Sequence, residues 1–265
     1  MEWMDRFTAV MDSVSEGGMD GLGVTEIARK TGLTKGTLHR MLKSMVEHRL
    51  IVQDPRTRKY RLGPKSMQWG SRFLVGQDPS GLLSDYCDLL AERTDLYTYL
   101  CRFDSGEVYC IYTRQPSTSR NKYFVHVGQR MPLHCSAAAK AILAFQPPSV
   151  VNALLLKEKP VKYTEFTKTD IQGRITELNE VFKSRIAFCE EELEVGVTAM
   201  STPIFHGKRE ALLSISLIGS TSYINSHREL LINELLQIGE KASEHIASAH
   251  LLTSTRGGRV WDGSM

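Results

Sequence analysis

The chain has 265 residues, 42% of them hydrophobic and 24% charged, with a formal net charge of +3. That balance excludes a disordered polar chain, and no run approaches the roughly 18 apolar residues of a membrane-spanning helix. The length exceeds one small domain and makes two the natural expectation. The five cysteines (Cys87, Cys101, Cys110, Cys135 and Cys189) are scattered and never spaced C-x-x-C. They read as reduced thiols of a cytoplasmic protein, not as a disulfide or zinc framework. The N-terminus carries three acids and lacks a basic region, unlike a secretory signal, and no repeat of 20–50 residues is present.

Taken in order, residues 3–15 predict a helix with Phe7, Val10, Met11 and Val14 on one face, followed by a Gly-rich loop over 16–23. Val24, Ile27 and Ala28 share a face of a second helix. Thr31-Gly32-Leu33 breaks it, because Gly supplies the positive φ of a tight inter-helix turn. Thr34 is placed to cap a third helix running to Glu47, whose Leu38, Met41, Leu42 and Met45 form the core stripe. Its other face shows Lys35, Thr37, His39, Arg40, Lys43 and Ser44. Residues 50–54 and 59–62 read as strands around the basic turn Pro55-Arg56-Thr57-Arg58.

Between Val24 and Arg61 stand 10 Lys/Arg against 3 Asp/Glu, a local charge of +7 on a chain of only +3. Helix, turn, helix and basic wing together describe a reader of double-stranded DNA. Lys35, Thr37, His39 and Arg40 would lie nearest the bases, with Thr34 and Lys43 beside them, and Arg56, Arg58 and Lys59 would hold phosphates. The bland alternative is a small helical hairpin with solvated charges, or a winged helix that binds protein or RNA.

Pro64 opens an amphipathic helix carrying Met67, Phe73, Leu74 and Val75, which ends near Gly76-Gln77-Asp78-Pro79. Further on, helices are expected at 79–93, 136–145, 150–156, 170–184 and 226–252, the first burying Leu82, Leu83, Tyr86, Leu89 and Leu90. Strands are expected at 96–101, 108–112, 123–127, 196–205 and 211–218, with turns at Asp104-Ser105-Gly106 and His206-Gly207-Lys208-Arg209. This is an α/β (α+β) second half with a curved antiparallel sheet. Residues 253–265 read as a disordered tail.

The motif Glu26-Ile27-Ala28, Gly32-Leu33, Lys35, Thr37, Arg40-Met41-Leu42 and Tyr60-Arg61-Leu62-Gly63 resembles the IclR family of bacterial transcription regulators. Val127 to Phe145 and Glu191 to Gly219 are similar to the two hallmark segments of that family's effector-binding domain. The resemblance implies an N-terminal winged helix-turn-helix (1–63), a linker helix where two chains meet (64–78) and a GAF-like effector-binding domain (79–252). It implies a homodimer or dimer of dimers on a palindromic operator, with no cofactor. It also implies a small organic acid on the concave face of the sheet, held by the amides of Ala137 and Ala138. Cys189, Ala199, Ser216 and Ile218 would touch that acid, between apolar walls formed by Met131 and Leu133. Gly36 departs from a usual Ser, Arg185 from a usual Gly, Cys189 from a common Asp, and Ile218 stands where a Ser can occur. An uncharged lining would suit a ligand with an aromatic or alkyl part, with Tyr109, Tyr123 or Arg120 as possible orienting contacts.

Three other readings stay open. The pocket residues would be ordinary core and the pocket vestigial. His134-Cys135 would be a base and nucleophile, although neighbours on a strand point to opposite faces. Cys135, Cys189, His126, His134 and Glu190 to Glu192 would form a metal or thiol-redox sensor, although without ligand spacing; the acidic run reads more simply as a solvated strand end.

Overall fold

A computed structural model describes residues 2–76, 80–116, 125–206 and 210–254. The chain divides into two compact units, Met1–Gln77 and Asp78–Met265.

The first unit contains α1 (Trp3–Glu16), α2 (Val24–Thr31), α3 (Lys35–Glu47), β1 (Ile51–Gln53), β2 (Tyr60–Leu62) and α4 (Pro64–Gly76). Val10 and Val14, Ile27, and Leu38, Leu42 and Met45 meet in one core closed by Ile51 and Tyr60. The helical stripes read from the sequence are therefore the packing faces. Gly32 ends α2 with φ 69°, and Thr34 caps α3 by accepting the Thr37 amide at 3.4 Å. β1 and β2 form an antiparallel hairpin, and Leu22 adds a bridge to Tyr60 through bonds of 2.9 and 2.8 Å. Gly63 is required where the chain leaves the wing, because a Cβ there would stand 2.4 Å from the Arg49 carbonyl oxygen. On α4, Met67, Trp69 and Phe73 are exposed; the side chains of Leu74 and Val75 lie outside the described residues.

The second unit runs α5 (Ser80–Thr94), β3 (Tyr97–Asp104), β4 (Glu107–Arg114), β5 (Arg130–Met131), α6 (Ala137–Leu143), α7 (Pro148–Lys157) and α8 (Ile171–Ser184). It continues with β6 (Ala187–Glu190), β7 (Val197–His206), β8 (Glu210–Ser220), α9 (Thr221–Ser226) and α10 (Arg228–Ser254). The six strands form one curled antiparallel sheet in the order β5-β4-β3-β8-β7-β6. Ser105 and Gly106, with φ 51° and 85°, make the two-residue β3–β4 turn, the positive-φ pair that matches strand twist. The Thr98 hydroxyl donates to the Cys87 carbonyl of α5 at 2.9 Å, and Gly239 of α10 packs on Thr202, so α5 and α10 cover one face. Alanines of α6 cover the other.

Several expectations are corrected. The strand expected at 123–127 is absent at Val125 to Val127, and Tyr123 and Phe124 lie outside the described residues. Val125 is buried because Tyr97 donates its hydroxyl to the Val125 carbonyl at 2.6 Å, not because it joins the sheet. The expected final helix is α10, starting two residues later at Arg228, and a short helix that was not expected, α9, precedes it. In α5, Leu83 and Leu90 are buried while Tyr86 and Leu89 are only half-buried, and the Leu82 side chain lies outside the described residues. Of the expected disordered tail, Thr253 and Ser254 continue α10 and the remainder lies outside the described residues, as do positions 207–209 of the β7–β8 turn.

Candidate DNA interface and ligand pocket

Core packing of Leu38, Leu42 and Met45 turns the other face of α3 outward. Lys35, His39, Arg40 and Lys43 are exposed there, with Thr34 at the tip, and Thr37 is half-buried with its hydroxyl 3.1 Å from that of Thr34. Among the described residues no carboxylate pairs with Lys35, Arg40 or Lys43, leaving their charge available. Gly36 has open space around its Cβ position, and nothing in the structure explains the missing side chain.

The wing is built by Asp54. Its carboxylate accepts the amides of Arg56 at 2.8 Å and Thr57 at 2.7 Å, and the Thr57 bond leads the contacts that hold its pKa below the ordinary Asp value. Gln53 donates to the Arg58 carbonyl at 3.0 Å, and Arg58 adopts φ 60°. Arg56 and Arg58 are exposed and Lys59 half-buried. All nine predicted DNA contacts thus lie on one helix face and one turn of the first unit.

The predicted ligand residues collect on the sheet face beneath α6. Cys189, Ala199, Ile218 and Tyr97 are successive register partners across β6, β7, β8 and β3. Two residues along, Ala187, Ser201, Ser216 and Tyr99 form the next row and face the same way. Ala137 packs on Cys189, Ala199 and Ile218. Met131, Leu133 and Ala138 belong to the adjoining cluster with Tyr97 and Tyr99, and Ile218 touches both. The first-turn amides of Ala137 and Ala138 have no intrahelical acceptor, whereas Ser136 caps that of Ala139 at 3.3 Å.

Ser216 sits deeper, donating to the Ser201 hydroxyl at 2.8 Å while Ser201 donates to the Ile215 carbonyl at 3.1 Å. Ser214 lies on the same face, its buried hydroxyl without a partner among the described residues. Burial pushes the Cys189 thiol up to about 12, so the lining carries no fixed charge. Of the suggested orienting groups, Tyr109 alternates away from the inward-facing Val108 and Cys110 and bonds Glu107; Arg120 and Tyr123 lie outside the described residues.

Two polar anchors were missed. Lys140, alone among the alanines of α6, is 2% exposed and donates to Glu177 and the Phe188 carbonyl at 2.9 Å each, and to Glu192. Burial works to lower its pKa, but Glu177 and Glu192 outweigh that and hold it above the ordinary lysine value. Glu192 is thus a buried ion-pair partner, correcting the reading of a solvated acidic end. A lone lysine in SAAAKAILAF was the signal available.

The second anchor is Glu158, which accepts the Leu133 amide at 3.1 Å, His134 Nδ1 at 3.0 Å and Arg174 Nη1 at 3.3 Å. His134 lies in the turn between β5 and α6, not on a strand. Its Nε2 is 3.0 Å from the Val161 carbonyl and its ring stacks on Tyr163. Both ring nitrogens are engaged away from Cys135, whose thiol burial pushes far above its usual range. Among the described residues no group of three His, Cys, Asp or Glu side chains is placed to hold a metal, and no helix is long and apolar enough to cross a membrane.

Two family models match this chain, one described as "Bacterial transcriptional regulator IclR C-terminal" over residues 81–247 and one as "IclR helix-turn-helix domain" over residues 4–55. The transcriptional regulator XynR of Escherichia coli is 29% identical over 242 residues, covering 88% of this chain and 92% of its own. The transcriptional repressor IclR of Escherichia coli is 25% identical over 230 residues, covering 86% and 83%. An IclR regulator structure from Alicyclobacillus acidocaldarius matches with a TM-score of 0.77 at 24% identity over 93% of this chain and 100% of that one. An IclR homolog from Microbacterium hydrocarbonoxydans, solved with 4-hydroxybenzoate, matches with a TM-score of 0.78 at 18% identity over 93% and 100%.

Proposed function

The chain belongs to the IclR family of bacterial DNA-binding transcriptional regulators, and from that premise we propose a cytoplasmic homodimer or dimer of dimers whose operator binding is set by a small organic acid. In this reading residues 1–63 bind DNA, 64–78 link, and 79–252 sense the effector and assemble the oligomer; the chain is not an enzyme. Arg40, with Lys35, Thr37 and His39, reads bases in the major groove, flanked by Thr34 and Lys43, while Arg56, Arg58 and Lys59 hold phosphates. A two-fold pair of such helices calls for a palindromic operator.

The observation that carries the effector reading is the row Cys189–Ala199–Ile218–Tyr97 lying against Ala137 at the start of α6. Unpaired amides there suit a carboxylate, and the uncharged row suits an apolar body. The 4-hydroxybenzoate bound by the Microbacterium homolog belongs to the same class of ligand. A thermal-shift screen of aromatic and alkyl acids on the full chain tests this, since a ligand of the native state raises its melting temperature. Acids are expected to stabilise and their amides not to; indifference to every acid at millimolar concentration counts against an effector pocket. A metal- or thiol-responsive alternative has no support from the scattered, high-pKa thiols.

A further inference from the structure

We propose a second ligand site, separate from the effector pocket: an open cavity of about 1160 Å³ at the C-terminal end of α6 that takes a small aromatic anion. Its walls are Phe145, Phe182 and Phe205, the first lying 5.2 Å and 4.9 Å from the others between ring centroids. Phe182 is 59% exposed, an apolar ring that a flat aromatic guest would cover. None of the effector residues lines this cavity, and the effector pocket lies at the other end of α6.

Charge names the guest as an anion. Lys183 and Arg185 line the cavity, no Asp or Glu does, and neither cation is in an ion pair among the described residues. A smaller cavity of about 430 Å³ on the other side of Arg185 shares Lys183, Arg185 and Phe205 and adds Glu240 and Glu244 of α10. The anion therefore belongs on the aromatic side. The Asn152 and Asn179 amides on that side offer neutral hydrogen bonds to a further polar substituent.

Arg185 also occupies an unusual place. It ends α8 at φ 58°, where glycine is free and a side chain is strained, with its amide donating to Val181 at 2.7 Å and its carbonyl accepting from Thr202 at 2.9 Å. Its guanidinium rests 5.5 Å from the Phe205 ring centroid. The strained backbone holds a planar cation over the ring, where it can meet a carboxylate with two parallel bonds.

Titration calorimetry of the full chain with 2-naphthoate tests the site. Binding is expected, about tenfold weaker for neutral 2-naphthamide. Arg185→Gly, which also relieves the strained backbone, should weaken naphthoate at least tenfold while the melting temperature holds or rises. Phe182→Ala, at an exposed ring, should weaken it by a similar factor. Failure of naphthoate to bind, or an affinity that both variants leave unchanged, overturns the proposal. So does an oligomer that Phe182→Ala dissociates while naphthoate fails to bind, which would assign the face to a second copy of the chain.

Discussion

At the scale of single residues, the second unit is pinned by charges whose partners lie far away in sequence. Glu158 shows how such a pin responds to pH. Burial pushes its carboxyl up, but His134, then the Leu133 amide and Arg174, outweigh that and hold it below the ordinary glutamate value. A carboxyl whose folded pKa lies below the unfolded value of about 4.3 stabilises the fold above that pH, and the contribution disappears as pH falls through it toward the folded value. Glu158→Gln should cost about 3 kcal/mol near pH 7, because it leaves Arg174 buried beside a neutral group. Urea unfolding from pH 7 to 3 should show the two stability curves converging below about pH 4.3. Parallel curves across that interval would mean that ionised Glu158 does not anchor the turn before α6.

At the scale of elements, the proposed function divides recognition between α3 and the wing, and the two parts predict different losses. Arg40 projects from the exposed face of a helix locked by Leu38 and Leu42. Arg40→Ala should cost about 1–3 kcal/mol on the preferred operator and relax selectivity at one base pair. Arg58 rides on a turn organised by Asp54, and Arg58→Ala should weaken all duplexes alike and lower the salt slope by about one. Equilibrium binding at several salt concentrations separates them; a sequence-selective loss for Arg58→Ala would remove its phosphate role. These elements were legible because Gly32, Thr34 and the stripe Leu38, Leu42 and Met45 are local signals with a fixed period. The row Cys189–Ala199–Ile218 could be named only through resemblance, since strand register depends on partners elsewhere in the chain. Val125 misled because a buried position held by Tyr97 leaves the same apolar mark as pairing in a sheet, whereas Val127 is exposed and gives no such reason. Glu192 was misread because its partner, Lys140, is 52 positions away.

At the scale of the whole molecule, the first unit has its own core around Ile27 and Leu42, and the second is built on the sheet beneath α6. In the proposed dimer, an effector at Ala137 can alter DNA binding only if it favours one arrangement of the paired DNA-binding units over another. Such a preference is a coupling free energy and must act equally in both directions. If an acid filling both pockets of a dimer weakens operator affinity tenfold, about 1.4 kcal/mol, saturating operator DNA must weaken acid binding by the same tenfold over the two sites together, about threefold at each. An activating acid would show matching increases instead. Calorimetry of the acid with and without operator, beside operator titrations with and without acid, measures both sides. A total over the two acid sites that differs from the operator factor would show that further acid molecules, bound outside the two Ala137 pockets, take part in the coupling.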